Sequence, residues 1–463
     1  MVVTAPLDLA GPPRRIHVVG VGGAGMRAIA SVLVAMGHRV SGSDLKPSPG
    51  LDRLRAQGIE VQVGHDGAHV GWADLVAVST AIPETNPEIA AAREAGIPVL
   101  SRAEVLAAIT RVRRTLSVSG THGKTTTTSM LALILVEAGL APSFIVGGDV
   151  NEIGTGASWG DGELFVVEAD ESDGTFTQLA TDVAVVTNVE ADHLDHYGDL
   201  AAIEAAFDGF VAAAGTAIVC ADEPHAAAIA TRHGAITYGT AEGATVRIVD
   251  ARVDRVGTRF ALEREGERLG EIELPIPGLH NARNATAATV AALEVGAPFE
   301  AAVTALGRYA GVARRYQFRG EAGGITFVDD YAHNPGKVAA VVATAAQGGW
   351  GRVVVVFQPH RYSRTEDLWR EFGPVFDGAD LVVVTDVDGA GEQPRPGVTG
   401  QLVVDAVGAD RPGQAVEYVR DRDAVADHLV GVLRPGDLCL TLGAGDVTGL
   451  ADEVLAHLDP GAS

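Results

Sequence analysis

The sequence predicts an α/β protein of three domains, each with a mainly parallel sheet and the middle one with a small antiparallel part. Three observations carry this. Short β-branched runs alternate with alanine-rich helical stretches from Ile16 almost to the C-terminus. Two glycine-rich turns each follow an apolar run and open a helix. Between Thr245 and Leu274 the pattern changes to brief alternating runs, the period of antiparallel strands. A chain of 463 residues holds two or three cores of ordinary domain size.

Taken in order, His17 to Val19 reads as a strand, Met26 to Met36 as a helix and Val40 to Ser41 as the start of a second strand. Leu51 to Gln57 is a helix and Leu75 to Val78 a third strand, so the first domain is a doubly wound sheet. Arg102 to Arg114 is helical and then basic, a link into the second domain. There Thr115 to Val118, Leu164 to Val167, Val183 to Thr187 and Ala217 to Cys220 are strands, followed by the antiparallel part, which Pro275 to Gly278 closes. In the third domain Ile325 to Val328, Val353 to Phe357, Leu381 to Thr385 and Leu438 to Leu442 are strands separated by helices. The expected domains are residues 1–109, 110–317 and 318–463.

Composition excludes several classes. Apolar residues make up 47%, too many for a disordered chain, and no apolar run reaches the roughly 18 residues of a membrane span. Residues 1–15 lack the pattern of a secretion signal, so the expected compartment is the cytoplasm. Cys220 and Cys439 lie in separate apolar runs and read as buried thiols. A net charge of -25 repels a nucleic-acid backbone, yet a small phosphate site needs only local backbone N–H groups and one or two cations. The only lysines are Lys46, Lys124 and Lys337, and Lys124 sits in a glycine-rich turn.

The first turn, Gly20-Val21-Gly22-Gly23-Ala24-Gly25, has the GxGxxG pattern between strand and helix, with Asp44 at the end of the next strand. That is a Rossmann-like arrangement for a pyrophosphate, and a nicotinamide dinucleotide is the obvious ligand on this pattern alone. The second turn, Gly120-Thr121-His122-Gly123-Lys124-Thr125, runs on through Thr126 into a helix, in a central domain like those of P-loop ATPases. Its lysine suits the β- and γ-phosphates of ATP and its threonine hydroxyl suits Mg2+. Glu168 to Asp173 and Asn188 to His193 follow neighbouring strand tips, placing Glu168 and His193 where a cation bound to phosphates would sit. His280, Asn281 and Asn284 open a helix, the two asparagines on one face. Arg314 and Arg315 stand at the junction with the third domain, whose loops Asp329 to Pro335 and Gln358 to Thr365 are polar and end strands.

Together these segments resemble the Mur ligase family over essentially the whole chain, and the run Gln358-Pro359-His360-Arg361-Tyr362-Ser363-Arg364-Thr365 resembles the members that use alanine. The resemblance implies an ATP- and Mg2+-dependent ligase joining L-alanine to the lactyl carboxylate of UDP-N-acetylmuramate through an acyl phosphate, in peptidoglycan precursor synthesis. A muropeptide-recycling ligase that attaches a peptide is the alternative. It assigns Gly20, Gly22, Gly23, Ala24, Gly25, Met26, Ser43, Asp44, Ser79 and Thr80 to the UDP-sugar, which displaces the dinucleotide reading. ATP falls to residues Gly120 to Thr126 with His280, Asn281, Asn284, Arg315 and Asp330; metal to Thr125, Glu168 and His193. Catalysis falls to Lys124, Glu168, His193, Arg314, His333 and Arg361, and alanine to His333, His360, Arg361 and Arg364. The partners implied are these substrates, with no nucleic acid or membrane, for a monomer or homodimer. Many relatives in the superfamily carry a lysine after the His193 region whose carbamate holds metal; here none lies between Lys124 and Lys337. The second metal position is then left to Glu168, His193 and water. Asn334 stands where a second histidine is expected, and Ala332 where glycine is.

Overall fold

In the first sheet five parallel strands run in the order Glu60–Val63, Arg39–Asp44, Arg15–Val19, Leu75–Val78, Val99–Ser101. This is a computed structural model describing residues 7–458 except Thr80, Val256, Ala313 and Arg315; the side chain of Asp195 is also outside the description. Ile16 through Val19 are buried, which forces that strand to the sheet centre. Winding reverses between it and Leu75–Val78, so the glycine turn at Gly20 lies at the switch point where open α/β sheets leave a crevice. The outer strands Glu60–Val63 and Val99–Ser101 are short and mostly unburied, so the sequence carries no apolar signature for them.

The second sheet has ten strands. Arg114–Ser119 lies between Val183–Val186 and Leu164–Glu168, all parallel. The alternating segment forms three strands, Val246–Val253, Thr258–Arg264 and Glu267–Leu274. Val246–Val253 pairs in parallel with Ile236–Gly239, so the antiparallel strands extend the central sheet. At the other edge Ser143–Val150 pairs antiparallel with Thr155–Ser158, a hairpin hidden in the sequence because its register shifts between Ile145 and Val150, across two glycines.

The third sheet has six strands, ordered Gln317–Ala322, Ile325–Asp330, Asp437–Leu442, Arg352–Phe357, Leu381–Val384, Val416–Tyr418. The first pairs antiparallel, the rest in parallel. The three sheets fall into two compact units, residues 1–253 with 257–310, and residues 254–256 with 311–463. The first two sheets share a unit because the helix Arg102–Thr110 joins one core: Val105, Leu106 and Ile109 are buried in the same cluster as Ile16, Phe165 and Phe176. Both cysteines are buried, and burial pushes the thiols of Cys220 up to about 11 and Cys439 to about 12. No helix among the described residues is long and apolar enough to cross a membrane.

Under the first glycine turn lies a buried polar network. Glu88 is 0% exposed and accepts hydrogen bonds from Ser43 Oγ at 2.6 Å, while His69 Nδ1 and His65 Nδ1 lie 2.7 and 2.9 Å away. His17 Nε2 is 3.5 Å off, its Nδ1 bonded to Ser41 Oγ at 2.7 Å. Ser43 in turn anchors the turn, its carbonyl accepting from Gly20 N and Val21 N at 2.9 and 3.0 Å. Burial alone pushes the Glu88 carboxyl up, but the hydrogen bonds from His17, Ser43, His69 and His65 outweigh it and hold the group at about 2.

A carboxyl held below its ordinary 4.5 contributes stability above that pH, lost as pH falls toward about 2. An acid titration followed by circular dichroism should show the Glu88 contribution decaying across that window. At neutral pH, Glu88→Ala strands a hydroxyl and three imidazoles, which should cost about 3–5 kcal/mol in denaturant unfolding.

Candidate active site

The strand Arg114–Ser119 runs directly into Gly120, whose φ of +136° is open only to glycine, and whose missing Cβ leaves room for Thr187 Oγ1. Gly123, at φ +82°, caps the helix Lys124–Glu137, and a Cβ there would meet Asn284 Oδ1. The turn is fastened from the strand beside it. Asn188 Oδ1 accepts from His122 N at 2.7 Å, Thr187 Oγ1 donates to His122 O at 2.6 Å, and Glu190 N donates to Thr121 Oγ1 at 2.9 Å. The hydrogen bond from His122 to Glu190 holds the Glu190 carboxyl below its ordinary range.

An ammonium has three N–H donors, and Lys124 Nζ has three acceptors around it. They are Gly120 O at 2.7 Å, Thr121 O at 3.3 Å and Glu171 Oε2 at 2.6 Å. A phosphate oxygen reaching this ammonium must therefore displace one of them. Glu171 is 3% exposed, and burial pushes its carboxyl up although Lys124 pulls the other way. For neighbouring Asp170 burial also raises the carboxyl, yet the charge of Lys124 and hydrogen bonds from Ser172 prevail and hold it down.

Thr125 Oγ1 donates to Glu168 Oε1 at 2.9 Å, and Glu168 Oε2 accepts from Gly147 N at 2.7 Å. A hydroxyl beside a carboxylate is a hard-oxygen donor set of the kind Mg2+ takes with phosphate oxygens and water. Among the described residues no group of three or more His, Cys, Asp or Glu side chains is arranged to hold a cation alone. His193, with backbone in the left-handed region at φ +53°, has Nε2 3.6 Å from Asp192 and 3.8 Å from Glu171. His280, Asn281 and Asn284 start the helix Leu279–Glu294; Asn284 lies against Gly123, while the amide of Asn281 donates to Pro277 O at 2.7 Å.

At the first turn, Asp44 Oδ2 accepts from Gly22 N at 2.8 Å, and a Cβ on Gly22 would strike that carboxylate. Gly23 caps the helix Ala24–Ala35, which places Ala24, Gly25 and Met26 in its first turn, with Met26 buried. Ser79 lies against Gly20. The hydroxyl of Ser43 is committed to Glu88, so its own contribution at the turn is its backbone. Thr80 and Arg315 lie outside the described residues.

The second unit gathers its own set at strand tips. Asp330 accepts from Tyr316 N and Ala332 N, both at 2.7 Å. Arg314 donates to Gly443 O at 2.8 Å and to Ala444 O and Gly445 O at 3.3 Å, its guanidinium 4.9 Å from the centre of the Tyr331 ring. His333 and His360 have ring centres 5.5 Å apart, and Arg364 Nη1 lies 3.4 Å from His360 Nδ1. Burial lowers all three, His333 to about 3, so its ring is neutral at physiological pH. Arg361 is exposed next to them. Two imidazoles and two guanidiniums thus lie near one another, and guanidiniums suit a carboxylate.

Three residues outside the expected set belong to these geometries: Glu171, Asn188 and Arg102. Arg102 lies against Gly25, 3.1 Å from where a Cβ would stand. Glu171 and Asn188 occupy segments already marked by their place after strands, but nothing in their identity separates them from solvated loop residues. Arg102 is distant in sequence from Gly25, and only folding reveals the contact.

Three family models match in sequence: "Mur ligase family, catalytic domain" over residues 15–114, "Mur ligase middle domain" over 118–292 and "Mur ligase, glutamate ligase domain" over 314–445. The chain is 49% identical to a UDP-N-acetylmuramate–L-alanine ligase of Acidothermus cellulolyticus, with 98% of this chain and 96% of that one aligned. It is 44% identical to the enzyme of the same name from Geotalea daltonii, over 97% and 99% of the two chains. Among solved structures it is similar to a UDP-N-acetylmuramate–alanine ligase from Thermotoga maritima, with a TM-score of 0.80, 28% identity and coverage of 96% and 99%. A murein peptide ligase from Psychrobacter arcticus, at 23% identity and a TM-score of 0.70, shares the fold.

Gly120→Ala places a Cβ on Thr187 Oγ1 and asks alanine for a glycine backbone conformation. It should lower stability by about 1–3 kcal/mol or more in thermal unfolding. It should also abolish the stabilisation that added nucleotide gives the wild-type protein.

Proposed function

The chain belongs to the Mur ligase family, and on that premise we infer an ATP-dependent ligase that joins L-alanine to the lactyl carboxylate of UDP-N-acetylmuramate in peptidoglycan precursor synthesis. The observation that carries it is the turn from Gly120 to Thr125, with Lys124 over its carbonyls and Thr125 against Glu168, in a chain aligned end to end with ligases of that name.

The reaction joins two anions, a carboxylate and a triphosphate, so its main demand is charge neutralisation. The lactyl carboxylate attacks the γ-phosphorus in line; ADP leaves and an acyl phosphate forms. The free amine of alanine then attacks the acyl carbon, and inorganic phosphate leaves. In this reading Lys124 exchanges its contact with Glu171 for the phosphate being transferred. The turn's backbone cradles the other phosphates, with His280, Asn281 and Asn284 along the nucleotide. Mg2+ fits the Thr125 and Glu168 oxygens, with His193 toward a second position, and when bound it offsets charge on the triphosphate. The first turn, with Ser43, Asp44, Ser79 and Thr80, takes the UDP-sugar. Arg361, Arg364, His333 and His360 take the amino acid, the guanidiniums holding its carboxylate by paired hydrogen bonds. The three domains carry these roles in order: residues 1–109 the UDP-sugar, 110–317 ATP and 318–463 the amino acid.

Phosphate release from ATP should require UDP-N-acetylmuramate and L-alanine together. Release driven equally by a tripeptide acceptor would favour a recycling ligase instead. Lys124→Ala should lower turnover by at least about 10³-fold while UDP-sugar binding by calorimetry persists. Near-full turnover would refute the role of this lysine. Gly22→Val should weaken the UDP-sugar far more than ATP; equal weakening would refute separate sites.

A further inference from the structure

The arginines assigned to the amino acid are not held by their own strand. Arg361 stands in the left-handed region at φ +69°, a conformation that a residue with a side chain keeps only when its surroundings impose it. The helix that follows, Tyr362–Leu368, is only 7 residues long and is too short to fix its own start. What imposes the geometry is the loop after a different strand, Leu381–Val384. Asp388 N donates to Pro359 O at 2.9 Å and Arg361 N donates to Asp388 O at 2.7 Å, so the two loops pair as a single bridge. Gly389 lies under the Tyr362 ring, where a Cβ would come within 2.8 Å. Finally Glu392 closes the clamp: its Oε2 accepts from Ser363 N at 2.9 Å and its Oε1 from Ser363 Oγ at 2.6 Å. Ser363 lies between Arg361 and Arg364, so both carboxylate oxygens of Glu392 are spent on the residue that spaces the two guanidiniums.

We propose that Glu392 is a positioning residue for the amino-acid substrate, fixing through Ser363 the spacing of Arg361 and Arg364 that receives the substrate carboxylate. This rests on the assignment of those arginines to the amino acid. Glu392 has two effects of opposite sign. Its hydrogen bonds hold the backbone that aims both arginines. Its negative charge works against an incoming carboxylate, because Glu392 acts on Arg361 and Arg364 electrostatically. The structure assigns the larger effect to position, because carboxylate–N–H and carboxylate–hydroxyl bonds of this length are charge-assisted, whereas the charge sits near solvent and is screened.

The test measures steady-state constants for all three substrates with Glu392→Ala, Glu392→Gln, Ser363→Ala and Arg364→Ala. Glu392→Ala should raise KM for L-alanine about tenfold, leaving those for ATP and UDP-N-acetylmuramate within about twofold and the melting temperature near wild type. Glu392→Gln keeps one acceptor and Ser363→Ala keeps the backbone bond, so each should fall between wild type and Glu392→Ala. A lower KM for L-alanine in both Glu392 variants would show that charge dominates and would overturn the proposal, as would an unchanged KM. A parallel rise in all three constants would mean general destabilisation and would also overturn it. Arg364→Ala separates the two layers. If it leaves KM for L-alanine unchanged, the amino-acid assignment fails. If it raises that KM while Glu392→Ala does not, only the role of Glu392 fails.

Discussion

The central site depends on how one ammonium is held in an acidic protein. With a net charge of -25, the chain has little long-range positive potential to offer a triphosphate. Local attraction for an anion then rests on backbone N–H groups at helix starts and on single cations such as Lys124. The lysine is kept over the turn by two of the turn's own carbonyls and by the buried Glu171. Moving that carboxylate away would leave it buried without its counter-charge, so the pair holds together strongly.

The same logic of borrowed support recurs at the other two sites. The first glycine turn is tied by its backbone to Ser43, and Ser43 is tied to Glu88, which three imidazoles surround. The arginine pair of the second unit is set by a loop that follows another strand. In each case the polar groups lie on turns at strand tips, and the groups that fix them come from a different element. Turns cannot satisfy their own backbone, so a neighbour has to supply the missing partners.

Sheet order makes this possible. Parallel strands bring their C-terminal ends to one edge, so Ser119, Glu168 and Val186 end side by side although they are far apart in the chain. Ala169 N donates to Val118 O at 2.9 Å and Thr187 N to Ser119 O at 3.1 Å, so the loops that these residues begin start beside Gly120. Thr187 and Asn188 stitch the turn from Gly120 to Thr125 for this reason, and a glycine at position 120 is required because Thr187 occupies the space of a side chain.

The sequence alone determined the α/β class, the two glycine turns, the antiparallel stretch and the grouping of Lys124, Thr125 and Glu168, because each is written in local periodicity or in residues next to a strand. Even the pair of histidines with Arg361 and Arg364 is announced by two polar loops after apolar runs. The edge strands Glu60–Val63 and Val99–Ser101 were illegible because edge position removes the burial that leaves an apolar trace. The tertiary structure decided which partner each polar group takes: Glu171 for Lys124, Glu88 for Ser43, Glu392 for Ser363. A carboxylate in a sequence looks the same whether it is solvated or buried against a cation. Only the packing of elements distant in the chain removes its water and fixes its neighbour.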